Sequence, residues 1–182
     1  MLKDRAYNLI TKILLILLLI WGAASFFVFE DQLLILILVG VFSAVSVYFI
    51  IANRANFFLL TYLAFANFYA GYGLLYNYNI PLSLVMILLA LVLAILFWIL
   101  AGKVWLQILS FVIALSEIFL ALSYFLISPL TRSAILLIFV YLFYGYFLSA
   151  EPEKFDLSNF KRYLLVAFLL LLLIFTTVSW GR

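Results

Sequence analysis

Two apolar runs and the short polar break between them fill residues 10–52, which read ITKILLILLLIWGAASFFVF, then EDQ, then LLILILVGVFSAVSVYFIIA. Each run has 20 residues, and a helix of about 20 apolar residues is long enough to cross the hydrocarbon core of a bilayer. Neither run alternates apolar and polar residues, as the strands of a membrane β-barrel do. The pattern therefore predicts two transmembrane helices joined by a tight turn.

Five more stretches of the same kind follow, which gives seven predicted spans. These are Ile10–Phe29, Leu33–Ala52, Phe57–Tyr76, Leu82–Ala101, Val104–Ile127, Ser133–Ser149 and Arg162–Trp180. The fourth and fifth are divided at Gly102-Lys103, because Leu82–Ile127 is far too long for one crossing. The longest loop, Ala150–Lys161, is too short to fold alone. The sequence thus predicts an all-α bundle of about seven transmembrane helices, with residues 1–182 as one domain and no soluble domain.

The composition excludes several other classes of protein. Of the 182 residues, 71% are hydrophobic and 9% are charged, whereas a soluble domain carries about 25% charged residues. The chain has no Cys and no His, which excludes disulfides, thiol chemistry and any histidine-based metal or acid–base site. We expect no cofactor, no metal site and no nucleic-acid partner, and we expect the lipid bilayer to surround the chain.

Basic residues are distributed unevenly between the two sides of the predicted bundle. If the N-terminus is cytoplasmic, eight of them lie on the cytoplasmic side, namely Lys3, Arg5, Lys12, Arg54, Lys103, Lys154, Lys161 and Arg162. The outer side holds Arg132 and Arg182. Because basic residues favour the cytoplasmic side, the sequence predicts a multi-pass protein of a cell or inner membrane, with its N-terminus inside and its C-terminus outside.

Glu117 is a charged residue near the middle of the fifth predicted span. A charged residue at that depth costs roughly 2.5–3.5 kcal/mol on insertion, so such residues are functional candidates. At 100° per residue, Glu117 shares an arc of about 100° with small and polar side chains. These are Gln107, Ser110, Ala114, Ala121, Tyr124 and Ser128. The arc predicts an inward-facing polar stripe, on which Glu117 contacts a neutral group such as Asn67, a wet cavity or another subunit.

The third predicted span is the most aromatic, since nine of residues 57–78 are Phe or Tyr. Four tyrosines fall within an arc of about 80° on this helix. They are Tyr62, Tyr69, Tyr72 and Tyr76. Such an arc is typical either of a groove for a flat or lipid-like ligand, or of aromatic packing between helices with a belt at the membrane interface.

Motifs of nucleotide binding, of serine hydrolases and of zinc proteases are missing from the sequence. The leading hypothesis is therefore a non-enzymatic membrane subunit that packs with other membrane proteins or with itself. The alternative is a small transporter or channel in which Glu117 binds a proton, a cation or a solute. An enzyme acting on lipid-linked substrates is the third possibility.

Overall fold

A computed structural model describes residues 9–54, 57–101, 105–149 and 157–178. These residues form helices and short connections, with no strand among them. The helices are α1 (Leu9–Phe29), α2 (Leu33–Ile51), α3 (Phe57–Asn77), α4 (Leu82–Ala101), α5 (Trp105–Ser123), α6 (Pro129–Ser149) and α7 (Leu157–Thr177). All seven are long and apolar enough to cross a membrane. The predicted all-α, multi-span bundle is confirmed, and the chain is a multi-pass integral membrane protein.

Successive helices run antiparallel, which gives the bundle two ends. We name them by a connecting residue. The Glu30 end holds the α1–α2, α3–α4 and α5–α6 connections, and the Arg54 end holds the α2–α3, α4–α5 and α6–α7 connections. Contacts across the ends agree with this arrangement, because the Lys12 ammonium donates to the Ile51 carbonyl at 3.4 Å at the Arg54 end. Which end faces the cytoplasm stays a prediction.

The predicted boundaries around α5 and α6 are wrong by a turn. α5 ends at Ser123 rather than Ile127, and α6 begins at Pro129 rather than Ser133. Proline suits the first position of a helix, because its fixed φ matches and its missing N–H needs no partner there. The Ser128 hydroxyl accepts a hydrogen bond from the Thr131 N–H at 3.2 Å and so caps the new helix.

The helix after the longest loop also begins earlier than predicted. α7 starts at Leu157, five residues before Arg162, because a helix extends beyond the apolar core of the membrane and a search for apolar residues alone misses its polar first turn. Residues 150–156 of the predicted loop and Trp180 lie outside the described residues. The predicted break at Gly102-Lys103 also lies outside them, but α4 and α5 pack together on either side of it, with the Trp98 and Trp105 rings stacked at 5.8 Å.

The centre of the bundle is α3, which packs against α1, α4 and α6 and more weakly against α2. Most of its side chains are buried, although it is the least hydropathic of the seven helices. Helices around it, such as α2 and α4, are more hydropathic and more exposed. This is the distribution expected when lipid surrounds the bundle, because outer helices must be apolar on the lipid side while a central helix is shielded from lipid.

Two glycines lie at close contacts between helices. A Cβ at Gly22 of α1 would stand 2.7 Å from the Ala66 Cβ of α3, and a Cβ at Gly145 of α6 would stand 2.3 Å from the Tyr163 ring of α7. Small residues at such points let helix backbones approach. The peripheral helix α7 contacts the rest of the bundle mainly through α6, and Ala167 is its one fully buried residue among those described.

Candidate functional site

The polar stripe of α5 faces away from the bundle. The side of α5 that contacts other helices is apolar and consists of Ile108, Val112, Leu115 and Phe119. Glu117 is exposed and lies about 180° around the helix from the middle of this buried set. The prediction of an inward-facing stripe is therefore wrong. Its members do share one face, but the bulky apolar side chains on the opposite face fill the contacts with α4 and α6, and Phe119 also packs on Tyr72 of α3.

α5 is long and apolar enough to cross a membrane, and such a crossing would place Glu117 within the hydrocarbon layer. It is six residues from Ser123, the last residue of α5, which corresponds to roughly 9 Å along the helix axis. No hydrogen bond or ion pair joins its carboxylate to any other described residue. A carboxyl group in this position meets lipid or a group from another molecule.

The other members of the stripe are also turned outward. Gln107 and Ser110 are exposed, and so is Tyr124, which follows the last residue of α5 and is 75% exposed. Gln107 and Tyr124 have no side-chain partner among the described residues, while the Ser110 hydroxyl donates to the Leu106 carbonyl of its own helix at 2.9 Å. We call Gln107, Ser110, Ala114, Glu117, Ala121 and Tyr124 the α5 stripe. It runs the length of the helix, and three of its polar side chains have no partner among the described residues.

Asn67 belongs to a different part of the molecule. It is buried in α3, and its Nδ2 donates to the Leu63 carbonyl at 2.8 Å and to the Leu18 carbonyl of α1 at 3.3 Å. The expected contact between Asn67 and Glu117 is wrong, because Asn67 lies on the side of α3 that faces α1. Its bond to Leu18 holds α1 and α3 together beside the close approach at Gly22.

The four tyrosines of α3 do not line one common groove. Tyr62 shares a 2.8 Å hydrogen bond with Ser43 of α2 and donates to the Val39 carbonyl at 3.1 Å. Tyr69 donates to a carboxylate oxygen of Glu30 at 3.2 Å. Their hydroxyls therefore join α3 to α2 and to the α1–α2 connection.

The remaining two tyrosines join α3 to α5. The Tyr72 hydroxyl donates to the Phe119 carbonyl at 3.2 Å, and the Tyr76 hydroxyl donates to the Ser123 carbonyl. The rings of Tyr72 and Phe119 also stack at 4.2 Å. This geometry corresponds to packing between helices rather than to a ligand groove, since each tyrosine hydroxyl forms a hydrogen bond with a neighbouring helix or connection.

Arg132, which by itself is only a topology signal in the sequence, is a buried cation. It lies in the first turn of α6 and is 4% exposed. Its guanidinium stands 4.2 Å from the centre of the Tyr76 ring and 5.4 Å from that of Tyr72, and Nη2 donates to the Phe125 carbonyl. Nε and Nη1 have no partner among the described residues. The sequence contains a signal for this cation–π cluster, because two tyrosines lie one turn apart on α3 and an arginine lies at the same end of the bundle.

Three surface grooves accompany these features. A groove of about 160 Å³ runs between α1 and α3 at the Glu30 end, and one of about 230 Å³ lies between α2, α3 and α6; both have almost wholly apolar walls. The third, of about 530 Å³, lies between α3, α6 and α7 at the Arg54 end. It is more polar, and its wall includes Tyr141, Tyr144, Asn159, Arg162 and Tyr163. We call it the α6–α7 crevice. Glu117 lines none of the three.

The described residues contain no group of three or more acidic, His or Cys side chains that would hold a metal ion. No family model matches the chain, and neither a curated protein nor a solved structure matches it.

Proposed function

We propose that this protein is a non-enzymatic subunit of a membrane complex and that the α5 stripe is the face that binds its partner. The observation that carries the proposal is the position of Glu117, a carboxyl group on the exposed side of α5 that has no partner in the described part of the chain. Lipid offers no hydrogen-bond partner at that depth, so the group is costly until another molecule covers it.

Small residues beside Glu117 support a helix as the covering element. Ala121 and Ala114 follow and precede it on the same face at distances of four and three residues, and Ser110 lies one turn further on. Small side chains at this spacing allow two helices to approach closely, and hydrogen bonds from Ser, Gln or Glu across such a contact stabilise it.

The distribution of charge favours a different protein as the partner over a second copy of this chain. The described basic residues lie in connections or within the first two turns of their helices; they are Lys12, Arg54, Arg132, Lys161 and Arg162. A second copy therefore offers no described cation at the depth of Glu117. We infer a partner helix that presents a basic or hydrogen-bond-donating side chain at this level.

The interface is tested with two matched alanines. Ala121 lies on the α5 stripe and Ala44 lies on the lipid-facing side of α2, and both are exposed. We expect Ala121→Leu to dissociate the complex that is purified in mild detergent and Ala44→Leu to leave it intact, as measured by light scattering with mass spectrometric identification of the subunits. A parent chain that is monomeric in both detergent and cross-linked membranes would refute the proposal, and a homodimer would refute the heteromeric partner.

The alternative function is transport, because an ionisable group within the membrane is also suited to carrying a proton or a cation. With Glu117 on the outer face of α5, any pathway that reaches it has to be completed by another subunit. Proton or cation flux in liposomes that contain the purified complex distinguishes the two functions. Flux that Glu117→Gln abolishes while the complex stays assembled would favour transport.

A further inference from the structure

We propose that the α6–α7 crevice binds an anionic phospholipid, with the lipid phosphate at Arg162. This inference is independent of the α5 stripe, which lies on another helix. The crevice is the largest of the three grooves, at about 530 Å³, which is more room than a free phosphate ion requires.

The polar groups of the crevice suit an anion. Arg162 is exposed in the crevice wall and has no ion pair among the described residues. The hydroxyls of Tyr141, Tyr144 and Tyr163 also lack a hydrogen-bond partner there. Carboxylates are missing from the described lining, which offers one cation and several hydroxyl donors. Arginine and hydroxyl donors are the groups that bind phosphate oxygens.

The aromatic rings hold these donors in place. The ring of Tyr163 lies over Gly145, and its centre is 5.1 Å from that of Tyr141. The ring of Tyr144 packs at 4.6 Å against Phe57 of α3. Because the rings are fixed by packing, little conformational entropy is lost when their hydroxyls bind a ligand.

The depth of the crevice favours a lipid over a soluble anion. Arg162 is the sixth residue of α7, which places it roughly 8 Å from the start of that helix. Val166, one turn further into the membrane, continues the wall with an apolar surface. A phosphate at Arg162 would therefore have its glycerol and acyl groups directed along α7 into the hydrocarbon layer. Basic pockets of this kind between transmembrane helices bind anionic headgroups.

Two neighbouring basic residues provide a matched test. Lys161 and Arg162 are both exposed, but only Arg162 lines the crevice. We expect phosphatidylglycerol to bind the delipidated parent more tightly than phosphatidylcholine does, as measured by native mass spectrometry and by the shift in melting temperature. Arg162→Gln should weaken phosphatidylglycerol binding about tenfold more than Lys161→Gln does, because it removes a charge-assisted hydrogen bond. Equal losses in the two variants, or no preference for phosphatidylglycerol in the parent, would overturn the site.

Two further arms keep the test decisive. If Arg162→Gln does not fold, the double variant Tyr144→Phe/Tyr163→Phe replaces it as the test, because it keeps both rings and removes two hydroxyls. The double variant should weaken phosphatidylglycerol binding about fivefold or more. Tyr124→Phe on the α5 stripe should leave phosphatidylglycerol binding unchanged. Unchanged binding in the double variant would contradict the proposal. Glycerol 1-phosphate, as a soluble source of the same phosphate, should not displace the lipid at millimolar concentration, and displacement would assign the site to a soluble anion.

Discussion

Glu117 has no partner among the described residues, and this determines how its substitution should affect stability. Replacing it with Leu removes a carboxyl group from a lipid-facing position and breaks no described contact. We expect the isolated chain with Glu117→Leu to unfold within about 0.5 kcal/mol of the parent or to be more stable, as is usual for substitutions away from packed sites. Thermal unfolding in detergent measures this. A loss well above 1 kcal/mol would mean that the carboxyl group binds within the chain after all.

Tyr72 provides the opposite case, because its hydroxyl is buried and bonded to the Phe119 carbonyl. Tyr72→Phe keeps the stacked ring but leaves that carbonyl without its side-chain donor. We expect a loss of about 1 kcal/mol in the free energy of unfolding. Tyr124→Phe is the control and should leave stability unchanged, since Tyr124 is 75% exposed and its hydroxyl has no partner among the described residues. Equal effects in the two variants would contradict the assigned hydrogen bond.

The sequence predicted which residues of α5 share a face but not where that face points. Helical periodicity groups Glu117 with Ser110 and Ala121 whatever the orientation of the helix. In a soluble protein the apolar face would point inward, but lipid is as apolar as a helix interface, so hydrophobicity does not distinguish the two directions. The sequence alone therefore predicts how deep in the membrane a polar residue lies. Whether that residue faces lipid or other helices can be decided only when the packing of its helix is known.

At the level of helices, the contact of α1 with α3 depends on Gly22. A Cβ there would stand 2.7 Å from the Ala66 Cβ and 3.2 Å from the Ala66 carbonyl carbon, so the two backbones would have to separate. We expect Gly22→Ala to cost about 1–3 kcal/mol, the usual range for overpacking. Thermal unfolding in detergent measures the loss.

Gly40 of α2 is the matched control for this prediction, because nothing stands within 4 Å of a Cβ at that position. Gly40→Ala should be neutral or stabilising by up to about 1 kcal/mol, through the higher helix propensity of alanine. Similar losses from Gly22→Ala and Gly40→Ala would show that the α1–α3 contact is less close than described.

The helices themselves were largely predictable, because a span is defined by length and apolarity. α2 was predicted to within one residue at Ala52, whereas α6 and α7 both begin earlier than their apolar runs. The reason is that Pro129 and the polar residues near Leu157 can start a helix outside the hydrocarbon layer. The central position of α3 was not predicted, although its low hydropathy among seven spans was a usable signal.

For the whole molecule, the uneven distribution of basic residues leads to a prediction of topology. Seven crossings by the described helices would place Leu9 and Thr177 on opposite sides of the membrane. We expect the Arg54 end to be cytoplasmic, by the positive-inside rule. A periplasmic-type reporter such as alkaline phosphatase should be active when fused after Arg182 and inactive when inserted after Arg54. Phosphatase activity at Arg54 alone would show that the topology is the reverse of the predicted one. Activity at both sites, or at neither, would contradict the number of spans.

The burial of α3 has a consequence for biogenesis. This helix leaves the ribosome third, yet it carries the lowest hydropathy, and one of its main neighbours, α6, is complete only at Ser149, which is 72 residues after Asn77. At about 5–20 residues per second, α3 waits roughly 4–14 s for that neighbour. At the start of this interval α1 is the one main neighbour already synthesised, held by the bond from Asn67 to Leu18, and α4 follows at Ala101. Co-translational insertion of α3 therefore depends on α1 remaining beside the translocon.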